Sequence, residues 1–126
     1  ILDTTFNTSG SNIISVGNSG QGRGITLQAD NKILICGSVF QSQNNFFVAR
    51  LTTSGALDTT FNTVGYNTTS IGNGAQANSI KVQSTGDIVA AGTAVLDTPV
   101  FALARYTTSG ALDGTFGTAG ITTTSI

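Results

Sequence analysis

The 126-residue chain contains no histidine, glutamate, methionine or tryptophan, and only one cysteine and one proline. Without histidine it lacks both the commonest general base and the commonest metal ligand. The single cysteine, Cys36, excludes an internal disulfide and a cysteine-rich zinc site. Charged residues make up 9% of the chain, five Lys+Arg against six aspartates, for a net charge of −1. That balance points away from nucleic acid and from acidic membranes as partners. No stretch approaches the roughly 20 consecutive apolar residues of a membrane helix, so no membrane insertion is expected. The opening Ile1-Leu2-Asp3 is neither an initiator methionine nor a signal peptide, and the expectation is a processed or excised piece, or a sequence whose true ends lie further out. Thr, Ser, Asn and Gly dominate what is there. Even so, 39% hydrophobic residues make the chain too apolar for the disordered class. This composition suits an extracellular or cell-surface β protein.

An internal repeat is the strongest signal. Leu2-Asp3-Thr4-Thr5-Phe6-Asn7 returns as Leu57-Asp58-Thr59-Thr60-Phe61-Asn62 and again as Leu112-Asp113-Gly114-Thr115-Phe116-Gly117, each time after 55 residues. Gln28 matches Gln83, Gly37 matches Gly92, Phe46 matches Phe101, and Ala49-Arg50 matches Ala104-Arg105 at the same offset. Residues 1–55 and 56–110 share 24 identities in 55 ungapped positions, which chance does not produce in register. The chain therefore divides into repeat 1 (2–56), repeat 2 (57–111) and a partial repeat 3 (112–126).

Each repeat reads as β throughout. Residues 12–16 form a short candidate strand, and residues 25–28 alternate apolar and polar as a strand with one buried face does. A turn at Asp30-Asn31 leads into the apolar run 32–37, which matches a turn at Thr85-Gly86 and the run 88–92. Residues 46–51 and 101–106 supply the fourth strand, closed by Thr-Ser-Gly turns. No window carries a helical stripe, and the Thr, Asn and Gly content opposes helix. Four short strands per 55 residues predict an all-β chain built of four-stranded antiparallel blades of a β-propeller.

The recurring L-D-x-T-F-[NG] signature, the apolar strand ending in Gly, and F-x-x-A-R-[LY] followed by T-T-S-G together resemble the bacterial delta-60 repeat. The resemblance spans essentially the whole chain. It departs at the hairpin turn, where Asp30-Asn31-Lys32 and Thr85-Gly86-Asp87 stand in place of the family's usual Asp-Gly-Lys. It implies propeller blades and a secreted or surface location. It brings no catalytic residues and no cofactor.

A closed propeller needs about four to eight blades, so this chain is too short to close alone. Three arrangements remain open: a segment of a longer array, a ring of several copies, or head-to-tail addition without closure. Residues 111–126 repeat 56–71 with 11 identities in 16. Residues 121–125 therefore duplicate the role of 12–16, and one copy of that segment is spare in a ring of two-blade chains. The spare strand either pairs with a neighbouring subunit or reflects where the piece was cut.

The repeated positions are the candidates for chemistry. Asp3, Asp58 and Asp113 read either as a ring of carboxylates holding cations or as Asx-turns accepting backbone N–H bonds. The turn is favoured, because a lone aspartate lacks the further oxygens that Ca²⁺ requires, and no metal is expected. Arg50 and Arg105 stand eight residues before Asp58 and Asp113 across a hairpin, predicting a buried Arg–Asp bridge between blades. The alternative is a ligand carboxylate or sugar held by the arginine in the gap between blades. Phe6, Phe61 and Phe116 read as core between blades rather than as platforms for sugar rings. Tyr66 and Tyr106 are weak lectin candidates. Cys36, matched by Ala91, reads as a buried small residue. Asn7 and Asn67 head formal glycosylation acceptors that arise by chance in so Asn- and Thr-rich a chain. Gly20-Gln21-Gly22-Arg23-Gly24 precedes a strand, so it is no phosphate loop.

The expectation is a non-enzymatic β-propeller module, an extracellular structural or interaction scaffold assembled with further copies or further blades. The alternative is a multivalent carbohydrate-binding propeller with glycan sites between blades. An enzyme completed by other domains is the third reading, disfavoured by the missing His and Glu.

Overall fold

A computed structural model describes all 126 residues. Eight strands and no helix make up the chain: β1 (Ser19–Leu27), β2 (Ile33–Phe40), β3 (Asn44–Leu51), β4 (Tyr66–Thr69), β5 (Ala75–Val82), β6 (Ile88–Val95), β7 (Pro99–Tyr106) and β8 (Ile121–Thr124). They form two antiparallel four-stranded sheets, β1-β2-β3-β4 and β5-β6-β7-β8. β5 lies against β1, β2 and β3, so the sheets converge at their first strands in the wedge arrangement of propeller blades.

The blades are out of phase with the sequence repeat. β4, the last strand of blade 1, comes from repeat 2, and β8, the last strand of blade 2, comes from repeat 3. Residues 12–16, expected to be a strand, are not one: their counterparts 67–69 pair with β3, but residues 12–14 have no sheet beside them. Residues 121–124, by contrast, pair with β7 from Ala104↔Ile121 to Phe101↔Thr124. The unused copy of the duplicated segment is thus the first, not the last.

The glycine-rich stretch also differs from its expectation. Gly20, Gly22 and Gly24 lie inside β1, whose register slips between Gly22 and Gly24 opposite Gly37. β5 slips at the equivalent place, between Ala77 and Ser79 opposite Gly92. These are β-bulges, which twist the strand and leave one residue unpaired. A methyl group at Gly37 would overlap the Gln21 carbonyl oxygen, and one at Gly92 the Gln76 carbonyl. Each bulge therefore requires glycine across from it. The turns between the first two strands of each blade use left-handed residues, Asn31 at φ 64° and Gly86 at φ 90°.

The core lies between the two sheets. Leu34, Cys36, Phe46 and Val48 of blade 1 interlock with Ala77, Ile80, Ile88, Ala90, Ala102 and Tyr106 of blade 2. The facing blade 2 surface is rich in alanine, which lets the larger blade 1 side chains approach closely without voids.

Candidate functional site

Where the two blades meet, Arg50 organises a buried polar cluster. The Thr-Ser-Gly turn after β3 folds the chain back so that the Arg50 guanidinium donates from Nε to Asp58 Oδ2 at 2.7 Å. Both side chains are almost wholly buried, 8% and 5% exposed. Arg50 also donates to the Thr60 hydroxyl at 3.1 Å, and its guanidinium lies 4.9 Å over the Phe61 ring. A further guanidinium N–H donates to the carbonyl of Thr108 in the next repeat at 2.8 Å. That contact links the blades directly. Lys32 approaches the same carboxylate at 3.0 Å, a partner missed by the sequence reading because its equivalent in repeat 2 is Asp87.

The aspartate is also the head of an Asx-turn. Asp58 Oδ1 accepts from the Thr60 amide at 3.1 Å and the Thr60 hydroxyl at 2.6 Å. Burial alone would raise its pKa, but the Thr60 bonds, Lys32 and Arg50 together outweigh it and hold the carboxyl well below the usual carboxylate range. With its oxygens taken up in this way, Asp58 serves as an anchor for cations and turn donors of its own chain.

The three copies of the motif form a graded series. Asp113 keeps the turn bonds from Thr115 and the Arg105 pair at 2.8 Å, and Arg105 lies 4.8 Å over Phe116. Arg105 has no counterpart to the Thr108 carbonyl, and Arg105 and Asp113 are 22% and 14% exposed. Asp3 is fully on the surface, with bonds from Thr5 at 2.9 and 2.6 Å and no cation beside it. The hydrogen bonds from Thr5 and from Thr115 are the main cause of the lowered pKa of Asp3 and of Asp113. Phe61 is fully buried against Gly110, whereas Phe6 and Phe116 are half-buried.

The other sequence candidates fall outside any open site. Tyr106 is fully buried with its hydroxyl 2.8 Å from the Thr69 hydroxyl, so it cannot meet a sugar. Tyr66 packs its ring 5.8 Å from that of Phe47. Cys36 is fully buried, and burial pushes its thiol up to about 11, far from the range of reactive cysteines. Asn7 and Asn67 use their side-chain amides inside the chain, donating to the carbonyls of Ser11 and Gly110. No group of three or more Cys or Asp side chains converges.

Open surface of three kinds remains. A cleft beside the blade junction, lined by Phe40, Gln43, Asn44, Asn73 and Gln76, adjoins a small polar hollow through Asn44 and Gln76. On the outer face of blade 1, Ile35, Val39, Phe47 and Leu51 face Ile14 and Val16 across a cavity of about 460 Å³. On the outer face of blade 2, Phe101 is 57% exposed, although its equivalent Phe46 is completely buried.

The family model described as a domain of unknown function with a β-propeller fold, DUF5122, matches residues 28–61 and 83–116. The two matches are spaced by the 55-residue repeat and each covers β2, β3 or β6, β7 with the Arg–Asp–Phe cluster. No curated protein matches the chain. Two in-register matches over more than half of its length, on blades of the expected topology, make this chain a member of the DUF5122 β-propeller family.

Proposed function

We propose that the chain is a non-enzymatic β-propeller module, an extracellular structural or interaction scaffold that works by joining further blades. One observation carries this reading. The outer face of each blade presents the residues that are buried at the internal junction: Ile25 is 68% exposed where Ile80 is 2% exposed, and Phe101 is 57% exposed where Phe46 is buried. Repeat units cover such faces with neighbours. The resemblance to the delta-60 repeat and the low-charge, Thr- and Asn-rich composition support a location outside the cell. The test is the absolute mass in solution by light scattering over a range of concentrations. A defined multiple, or growth into rods visible by electron microscopy, supports a scaffold of copies. A monomer at every concentration overturns assembly from copies and leaves further blades of a longer chain as the form of the scaffold.

A carbohydrate-binding role is the second reading, favoured by the cleft at the blade junction. There the amides of Asn44 and Gln76 stand near the half-exposed ring of Phe40, a combination of hydrogen-bonding groups and an apolar platform that suits a neutral sugar. Saturable binding on a glycan array, lost in N44A and Q76A, would support it, and an array without binding would remove it.

A further inference from the structure

We infer that a second copy of this chain docks on the outer face of blade 2 and that its residues 11–14 displace β8, completing blade 2 by strand exchange. This rests on the scaffold reading and says how the copies join.

The first eighteen residues already sit on blade 1 as the matching segment sits on blade 2. The Asn7 amide donates to the Ser54 carbonyl at 2.7 Å, as the Asn62 amide does to Ser109 at 2.7 Å. Asn12 donates from its side chain to the Gly55 carbonyl at 2.7 Å, as Asn67 does to Gly110 at 2.9 Å. Phe6 lies over Gly55 as Phe61 lies over Gly110. The segment is therefore held in the conformation of a blade-joining connection, yet the strand it leads into has no sheet. The cavity behind it corresponds to the space that Leu34, Phe46 and Val48 fill at the internal junction.

The other end of the same chain supplies what is missing. Val89, Phe101 and Leu103 occupy the repeat positions of Leu34, Phe46 and Val48 and have no blade against them. Placed as blade 1 stands to blade 2, they enter the cavity of a second copy. Asp3 of that copy, which has no cation, then takes the place at Arg105 that Asp113 holds in the single chain, the place Asp58 holds at Arg50. Its Thr53 carbonyl takes the guanidinium N–H that Thr108 takes from Arg50.

Two segments then compete for the edge of β7: its own residues 121–124 and the incoming residues 11–14. The sequence decides between them. The incoming segment carries Asn12, whose side-chain amide clasps the Gly55 carbonyl of the blade that follows it; the resident one has Thr122 at that position, with no amide to make the bond. The incoming strand also keeps its clasp on its own blade 1 while it pairs, and its Asp3 and residues 11–14 replace the Arg105–Asp113 pair and the β8 ladder that the resident segment gives up. The pairing follows the register of β3 with β4, in which Phe47 faces Thr68; Ala102 then faces Ile13 of the second copy.

The test is disulfide trapping in a C36A background with Ile13→Cys and Ala102→Cys together, oxidised and run on a non-reducing gel. Ala102→Cys with Thr123→Cys serves as the control for resident pairing. A ladder of covalent multimers from the first pair supports strand exchange, and D3K should weaken the association about tenfold or more by placing like charge against Arg105. If light scattering shows multimers but only the control pair closes, exchange is overturned while the scaffold reading stands. If the chain is monomeric throughout and only the control closes, strand exchange and the assembly of copies both fall.

Discussion

Arg50 and Asp58 form a buried pair, 2.7 Å from Nε to Oδ2, whose arginine reaches on to the backbone of the neighbouring blade at Thr108. Their equivalents, Arg105 and Asp113, keep the pair but not the reach, and are more exposed. One motif thus appears in one chain in a closed and an open setting, which makes it a matched comparison.

Removing the arginine should cost very different amounts at the two sites. R50A leaves Asp58 buried with a single remaining cation, Lys32, and should lose about 3–5 kcal/mol of unfolding free energy, the scale of a broken buried pair. R105A should lose about 1 kcal/mol or less, because water reaches both partners. Urea denaturation of the two variants beside the parent chain checks the ratio.

Acid should act mainly through Asp58. Its carboxyl titrates lower in the folded chain than the unfolded value of about 3.9. The folded state therefore binds fewer protons, and the stabilisation is fully present above that value and drains away as pH falls through the folded pKa. The parent chain should lose stability steeply below about pH 4. D58N should be less stable at pH 7 and flatter from pH 5 downward. Thermal unfolding of both proteins at half-unit pH steps measures the two slopes.

The phenylalanines offer the same kind of matched test for packing. F46A empties a fully buried site between the blades and should cost about 3–5 kcal/mol. F101A, in a dilute solution of single copies, should change stability by about 0.5 kcal/mol or less. If copies join through the outer face of blade 2, F101A should also reduce the multimer fraction at high concentration, a change read by light scattering.

Cys36 should report global unfolding. Its thiol is fully buried and pushed up to about 11, so a thiol reagent at pH 8 should leave the native chain unmodified for hours. Labelling should follow the denaturation curve obtained by circular dichroism, since the core around Cys36 opens only when the blades separate. Rapid labelling of the native protein would show that this core opens independently.

The all-β class and the 55-residue period were legible as patterns of residue type along the chain, and the Arg–Asp pairing because its partners are close in sequence. Arg50 and Asp58 are eight positions apart across one turn, and the turn chemistry is explicit in Thr-Ser-Gly. The phase of the blades was not legible. A period states how long the unit is and leaves open where to cut it, so residues 12–16 read as the first strand of a repeat when their counterparts are the last strand of the blade before. Lys32 was missed for a related reason: it is not repeated, and only folding brings it to Asp58. Tyr106, a weak lectin candidate in the sequence, is instead core, its hydroxyl satisfied by Thr69, 37 residues away, a partner that only folding supplies.

The borrowed outer strand has a consequence for the way the protein is made. Blade 1 draws its β4 from residues 66–69, beyond the end of its own repeat. During synthesis the first blade therefore stays one strand short until part of the second repeat has left the ribosome. Each blade waits on the repeat after it, and until that segment emerges its third strand is an open edge.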